Sequence, residues 1–195
     1  MENKKVWFVT GCSKGLGHAL VNELLKQGYM VSATSRSTQA LIDAFGNESE
    51  QFLPLMVNLA DEESVKTALQ KTVLKFGRVD VVVNNAGYTH LATIEEISDK
   101  AVRDLFDINV FGTLNVIRNV LPIMRKQNRG HIFNVSSLGA YNVGPLSGPY
   151  CATKHAIKAL SETLAMEVKQ FGIHVTDVKP GFMRTEFLEL HIKQI

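Results

Sequence analysis

The sequence lacks the residue patterns that usually mark a metal site or a disulfide framework. It holds only two cysteines, Cys12 and Cys151, with no Cys-x-x-Cys spacing, and its six histidines form no His-Glu-x-x-His set. We therefore expect reduced thiols and no metal. Each thiol could sense oxidants, but the simpler role is to fill a small space beside a motif.

Long hydrophobic runs are also missing. The opening Met1-Glu2-Asn3-Lys4-Lys5 is followed by an apolar run too short for the core of a signal peptide. No later run approaches the roughly 20 residues of a membrane span. These absences predict a cytoplasmic protein that does not enter a membrane.

An excess of positive charge is absent as well. The chain has 21 Lys and Arg against 19 Asp and Glu, which gives a net charge of +2, and its cations are scattered. Nucleic acid is therefore not expected as a partner. The length of 195 residues and the 45% hydrophobic content suit one globular domain with a full core.

A glycine-rich turn opens the part of the sequence that carries chemistry. Thr10-Gly11-Cys12-Ser13-Lys14-Gly15-Leu16-Gly17 lies between an apolar run at 6–9 and an amphipathic helix that ends at Gly28. Glycines let a backbone approach a pyrophosphate closely, and the first amides of the helix point at it. The turn therefore predicts a dinucleotide site.

Strands and helices alternate along the rest of the chain. Further strands are predicted at 29–35, 52–57, 79–83, 131–135 and 173–178, and helices at 39–45, 61–76, 98–127 and 150–171. This alternation predicts an α/β fold, a Rossmann-like doubly wound parallel sheet in three layers. We see no linker or repeat, so residues 1–195 are expected to form a single domain.

The end of the second predicted strand favours NADP(H) over NAD(H). An acid there would bind the 2'-hydroxyl of NAD, but this chain has Ser35 followed by Arg36. Arg36 and Lys14 both stand where a 2'-phosphate would lie. The alternative is that both are solvated surface cations.

Tyr150 and Lys154 are one helical turn apart, so both side chains project from one face of the helix that Pro149 opens. A cation about 4 Å from a phenol could lower the tyrosine pKa by roughly 3 units and make a proton donor. Taken alone, the pair could equally be a packed aromatic and a solvated amine.

These motifs together resemble the short-chain dehydrogenase/reductase family from Lys5 to about Phe187. The matching pieces are the glycine turn, Asn84-Asn85-Ala86-Gly87, Asn109, Ser137, Tyr150-x-x-x-Lys154 and Pro180-Gly181, all in the family's order. The resemblance implies that Tyr150 is the catalytic acid-base and that Ser137 steadies the substrate oxygen. It also implies that Lys154 binds the nicotinamide ribose and that Asn109 holds a proton-relay water, although a helix-kinking asparagine is an alternative.

The same resemblance implies a set of cofactor-binding residues. They are Gly11, Ser13, Lys14, Gly15, Leu16, Gly17, Arg36, Asn58, Leu59, Asn85, Ala86, Gly87, Tyr150, Lys154, Pro180, Gly181 and Thr185. Asn58 replaces the usual aspartate, and its amide oxygen can still accept a hydrogen bond from adenine. Family members continue with a substrate lid and a last strand, so the chain is expected to be truncated after its sixth strand.

The leading hypothesis is an NADP(H)-dependent oxidoreductase that interconverts a carbonyl and a secondary alcohol. An inactive NADP-binding scaffold or sensor is the alternative. A sugar-nucleotide epimerase shares the tyrosine and lysine, but its glycine spacing differs. Residues 142–146 suggest an apolar wall for the small-molecule substrate.

The helix predicted at 98–127 has apolar residues on more than one face, including Leu114, Val120 and Ile123. One face can cover the sheet, and the second needs another partner. We therefore expect a homodimer or homotetramer that uses this helix and the Tyr150 helix, as the resemblance also implies.

Overall fold

Six parallel strands form one sheet at the centre of the molecule. A computed structural model of the chain describes residues 4–181 and 183. The strands are β1 (Val6–Val9), β2 (Met30–Ser35), β3 (Phe52–Met56), β4 (Val81–Asn84), β5 (Gly130–Val135) and β6 (Ile173–Val178), in the order β3-β2-β1-β4-β5-β6. The prediction of a doubly wound parallel sheet is confirmed, and the order reverses between β1 and β4.

Helices cover both faces of the sheet. They are α1 (Gly15–Lys26), α2 (Thr38–Phe45), α3 (Glu62–Phe76), α4 (Asp99–Phe106), α5 (Thr113–Gln127) and α6 (Gly148–Val168). Their ends follow from local chemistry. Asp61 accepts from the Glu63 amide at 3.1 Å to begin α3, and Gly77, with φ of 79°, ends it.

The core has two parts, one on each face of the sheet. On one face, α1 and α2 bring Val21, Leu24 and Leu41 against Val31 and Val83. On the other face, the apolar sides of α3, α5 and α6 cover the sheet with Leu69, Val65, Val116, Ile117, Val120, Met124, Leu164 and Val168. Three layers result, as predicted.

The single α-helix predicted at 98–127 is interrupted, and this part of the prediction is wrong. Between α4 and α5 the segment Asp107–Gly112 is a π-helix. A π-helical turn is wider than an α-helical turn and holds one extra residue. Asn109 lies in this wider turn, and its side chain is hydrogen-bonded to the backbone of Tyr88. Gly112 allows the close contact, since a Cβ there would lie 2.9 Å from the Cβ of Leu59.

The apolar surplus on this helix is smaller than the sequence suggested. Val120 is completely buried in the core, and Ile123 packs against the same cluster. The large exposed apolar side chains on these helical segments are instead Phe111 (51% exposed) and Met166 (73%). Phe111 lies in the π-helical segment and Met166 in α6, and the association of two chains through these helices stays a prediction.

Two further observations concern only the described residues. None of their helices is long and apolar enough to cross a membrane. No three His, Cys, Asp or Glu side chains among residues 4–181 and 183 gather as a metal site. The expected truncation concerns the chain after Gly181, which lies outside the described residues except for Met183.

Candidate active site

A cleft of about 1310 Å³ opens along the carboxyl ends of the strands. Its wall contains the predicted residues Gly11, Ser13, Lys14, Gly15, Leu16, Arg36, Asn58, Leu59, Asn85, Ala86, Gly87, Ser137, Tyr150, Lys154, Pro180 and Gly181. Gly17 and Asn109 lie buried behind the wall, and Thr185 lies outside the described residues. Residues that are far apart in the sequence therefore share one site.

The glycine turn is pinned to the end of β4. The Thr10 hydroxyl accepts from the amides of Asn85 (3.1 Å) and Ala86 (3.0 Å), and the Asn85 side chain donates to the carbonyls of Thr10 and Gly11. Gly11 has a φ of 71°, and a Cβ on it would lie 2.7 Å from the Cα of Ala86. Asn85 thus holds the shape of the turn.

The amino end of α1 faces the cleft without a side-chain cap. Lys14 occupies the cap position with extended backbone and makes no capping hydrogen bond, and the first turn holds no acidic residue. Amides at such a position can bind an anion, and the helix dipole adds to the attraction. The geometry fits a dinucleotide phosphate.

The far end of the cleft carries charges of both signs. Arg36 is exposed there, while the Ser35 hydroxyl is engaged with the backbone of Ser37, donating to its carbonyl at 2.8 Å. Asp104 and Asp107 also line the cleft, although no sequence pattern pointed to them. Burial raises the pKa of the Tyr88 phenol, the charges of Asp104 and Asp107 add to the rise, and Arg36 acts in the opposite direction.

Asn58 lines the cleft, but its amide oxygen already accepts from the Ala60 amide at 3.2 Å. The oxygen predicted to receive adenine is therefore shared with the backbone. Its neighbour Leu59 is buried and accepts a 2.8 Å hydrogen bond from Asn115 at its carbonyl. This part of the wall is held in place from behind.

Ser137 and Tyr150 meet across Gly139. The Ser137 hydroxyl accepts from the Gly139 amide at 3.0 Å. A Cβ on Gly139 would lie 3.4 Å from that hydroxyl and 3.5 Å from Cε1 of Tyr150, so only a small residue leaves both side chains close. Burial raises the pKa of the Tyr150 phenol, and its hydrogen bond with Ser137 opposes the rise.

Lys154 is buried beside Tyr150. Its Nζ donates to the carbonyl of Val135 at 2.8 Å and lies 5.7 Å from the centre of the Tyr150 ring. Burial lowers the pKa of Lys154 to about 8, and the charge of Asp177 opposes that change. The ammonium thus lies in the wall of the cleft.

The expectation that Lys154 lowers the tyrosine pKa does not hold in this ligand-free structure. The pKa of Tyr150 is raised, because the desolvation of its charged form is the largest effect on it. A phenol in this state keeps its proton at neutral pH.

Asn109 acts through its side chain on the backbone of Tyr88. Its Oδ1 accepts from the Tyr88 amide at 3.1 Å, and its Nδ2 donates to the Tyr88 carbonyl at 2.9 Å. The same Nδ2 donates to the Thr153 hydroxyl at 3.2 Å. Asn109 lies within the π-helical segment, and both the helix-kinking role and the relay water stay predictions.

Several wall residues were missed by the sequence reasoning. Tyr88, Thr89 and Leu91 line the cleft, and their position directly after Asn-Asn-Ala-Gly was the available signal. The predicted apolar wall is represented by Val143, with Leu138 and Met183 as further apolar lining. This part of the cleft therefore combines apolar side chains with the polar groups of Ser137 and Tyr150.

The two cysteines are buried thiols. Burial raises the pKa of Cys12 to about 12, so its thiol stays protonated at physiological pH. Cys151 is buried at the start of α6, with its sulfur 3.4 Å from the Ser147 hydroxyl. Their packing supports the space-filling role over oxidant sensing.

Comparisons with known proteins agree with this geometry. A family model described as short chain dehydrogenase matches residues 5–194. Oxidoreductase BOA17 from Botryotinia fuckeliana is 40% identical over 186 residues, which are 94% of this chain and 67% of that protein. Two uncharacterized oxidoreductases from Schizosaccharomyces pombe are 39% identical over 138 residues, which are 71% of this chain and 58% of each of those proteins.

Solved structures of similar fold contain either nicotinamide nucleotide. The structure of ElxO with NADP bound has a TM-score of 0.89 and 34% identity, covering 96% of this chain and 77% of that one. The 3-ketoacyl-(acyl-carrier-protein) reductase from Brucella melitensis, complexed with NADH, has a TM-score of 0.92 and 26% identity, covering 98% of this chain and 82% of that one.

Proposed function

The chain belongs to the short-chain dehydrogenase family, and from that premise we propose that it is an oxidoreductase acting on a carbonyl or a secondary alcohol with NADP(H). The observation that carries the proposal is the contact of Ser137, Tyr150 and Lys154 in the wall of the nucleotide-sized cleft. When bound, the nicotinamide cofactor supplies the hydride chemistry. The residues of this chain supply position and a proton.

The glycine turn and the uncapped start of α1 would hold the pyrophosphate, since a Cβ at Gly11 would fill the space along Ala86. Lys154 would bind the hydroxyls of the nicotinamide ribose. Asn85 keeps the turn open from behind through its bonds to Thr10 and Gly11.

Tyr150 would donate its proton to the carbonyl oxygen of the substrate, while Ser137 holds that oxygen by a hydrogen bond. Burial keeps the phenol protonated before reaction because it raises the pKa of Tyr150. A protonated donor suits carbonyl reduction better than alcohol oxidation. We therefore propose reduction as the favoured direction at neutral pH.

The test is an assay of a carbonyl and alcohol panel with NADPH and NADP. Tyr150→Phe should abolish turnover while NADPH still binds, because the ring remains and only the proton donor is lost. Tyr141→Phe is the matched control, since Tyr141 is exposed outside the cleft wall. Nucleotide binding without turnover of any panel member would favour the inactive scaffold, and turnover by Tyr150→Phe within tenfold of the parent would refute its role.

We further propose a preference for NADP(H) over NAD(H), supported by Lys14 and Arg36 in the cleft wall and by the absence of a carboxylate at position 35. A charge-assisted hydrogen bond is worth about 1.5–3 kcal/mol, less where it is exposed. Dissociation constants should then differ about ten- to a thousandfold. Equal constants for NADP and NAD at one ionic strength would contradict the preference.

Changing Ser35 to Asp together with Arg36→Gln should reverse the preference, because the carboxylate repels the phosphate and accepts from the ribose hydroxyl. Arg129→Gln is a control for the loss of one cation. Arg129 directly precedes β5 at the end of the sheet opposite the cleft. A reversal by this control would show that net charge, and not the site, sets the preference.

A further inference from the structure

A buried carboxylate lies under the active site on the last strand. The Asp177 side chain is only 8% exposed and belongs to β6. Its partner on β5 is Asn134, whose Nδ2 donates to the Ser161 hydroxyl of α6 at 2.9 Å. Paired residues on parallel strands point to the same face, so Asp177 also faces α6.

Lys154 enters this same interface from the helix side. Its Nζ donates to the carbonyl of Val135, and Val135 pairs with Val178, the residue that follows Asp177. The carboxylate and the ammonium are therefore neighbours in a region with little water. The charge of Asp177 raises the pKa of Lys154 against the stronger lowering effect of burial.

We propose that Asp177 is a positioning residue that keeps Lys154 in its ammonium form at the active site, with Lys179 moderating the charge of the carboxylate. The role of the ammonium toward the cofactor rests on the proposed function. The electrostatic link between Asp177 and Lys154 is a property of the ligand-free protein.

The other charged groups near this pair are accounted for. Directly after β6, Lys179 lies 2.8 Å from Asp177, and the pKa of Lys179 is raised by that contact. On α6, Lys158 pairs with Glu162 at 3.2 Å and lies over the ring of Tyr141. From the loop after β4, the backbone of Gly87 approaches Lys154, since a Cβ there would lie 3.5 Å from Nζ.

The Asp177 carboxylate offsets the loss of hydration that burial imposes on the Lys154 ammonium. An ammonium buried beside one carbonyl and an uncharged phenol loses hydration without full compensation, so it tends to release its proton. One carboxylate nearby restores the charged form, and a second cation prevents that carboxylate from pairing completely with Lys154. Lys154 therefore stays charged, and its ammonium donates a hydrogen bond to the wall of the cleft.

The experiment follows the titration of Lys154 by NMR of lysine Cε carbons in the ligand-free chain, with the signal assigned by Lys154→Arg. The parent midpoint is expected near 8. Asp177→Asn keeps the shape and removes the charge, and should lower the midpoint by about half a unit to one unit. Lys179→Met removes the cation that pairs with Asp177 and should raise the titration midpoint of Lys154. Glu63→Gln, an exposed acid of α3, should leave it unchanged.

Binding of NADPH, measured by fluorescence titration, gives the second readout. A midpoint lowered by about one unit leaves roughly a tenth of Lys154 charged at pH 8 instead of half, so Asp177→Asn should bind about fivefold more weakly there and nearly as well as the parent at pH 6. A structural defect would weaken binding at both pH values.

The outcomes separate this inference from the proposed function. If the midpoint moves in opposite directions in Asp177→Asn and Lys179→Met, the inference stands even where no nicotinamide nucleotide binds. If NADPH binds and is oxidised but neither variant moves the midpoint, the inference is wrong and the function stands. Should Asp177→Asn fail to fold, an unmoved midpoint in Lys179→Met would by itself overturn it.

Discussion

The burial of the Lys154 ammonium lowers the stability of the folded protein. Its pKa is lowered from 10.5 to about 8, so at pH 7 the folded state holds a proton that burial disfavours. That difference corresponds to a cost of about 3 kcal/mol, reduced by the hydrogen bond to Val135. A residue retained at such a cost is typical of a functional site.

Lys154→Met should therefore leave the ligand-free protein at least as stable as the parent at pH 7 while weakening NADPH binding and turnover. The unfolded chain binds more protons than the folded one between about pH 8 and 10.5, so the stability of the parent rises with pH in that window. The advantage of the variant should shrink there. Urea unfolding at pH 7 and pH 10 measures this, with Lys158→Met as control, since the Lys158 side chain is 27% exposed.

At the level of elements, the contact between the glycine turn and the end of β4 fixes the cofactor end of the cleft. A Cβ on Gly17 would lie 2.4 Å from the carbonyl oxygen of Gly11 and 2.5 Å from Nδ2 of Asn85. Both neighbours are held by their own hydrogen bonds, so neither can move aside cheaply. The first helix can approach the turn only with glycine at this position.

Gly17→Ala should lower the free energy of unfolding by about 1–3 kcal/mol, the usual cost of overpacking, and weaken NADPH binding because the turn is displaced. Chemical denaturation and a binding titration test both effects. Gly144→Ala is the matched control, since the nearest atom to its Cβ would be the Ser147 hydroxyl at 3.9 Å. Equal effects of the two substitutions would contradict the packing argument.

The π-helical segment Asp107–Gly112 connects two other elements. Through Asn109 it joins the backbone of Tyr88, after β4, to Thr153 of α6. All three polar contacts are made by one buried side chain. The π-helical segment thus links the loop after β4 to α6 through one side chain.

For the whole molecule, the exposed Phe111 and Met166 are the apolar residues by which we expect two chains to associate. Phe111→Glu with Met166→Glu should shift the sedimentation mass towards the monomer at micromolar concentration, because buried carboxylates would be unpaired. Leu74→Glu, on α3 and 88% exposed, is the control for added charge. If the unmodified protein sediments as a monomer at micromolar concentration, the prediction of association is wrong.

The sequence by itself determined the strand and helix alternation and the identity of the reactive groups. Apolar runs of period two or 3.6 are local properties, and the β6 range 173–178 agrees with the structure at both ends. The glycine turn and the pair of Tyr150 and Lys154 were found because their spacing carries chemistry whatever the surroundings, whereas Ser137 was named from the family resemblance. Tyr88, Thr89 and Leu91 were overlooked, although they follow the Asn84-Asn85-Ala86-Gly87 motif directly in the sequence.

Only the tertiary structure decided the environment of those groups. The pKa of Tyr150 is raised, because burial outweighs a lysine that turns to the Val135 carbonyl. Val120 is part of the core because α3 and α5 pack together, and Asp177 lies beside Lys154 because β6 pairs with β5 under α6. Desolvation and charge proximity depend on segments distant in the chain, so no local pattern could reveal them.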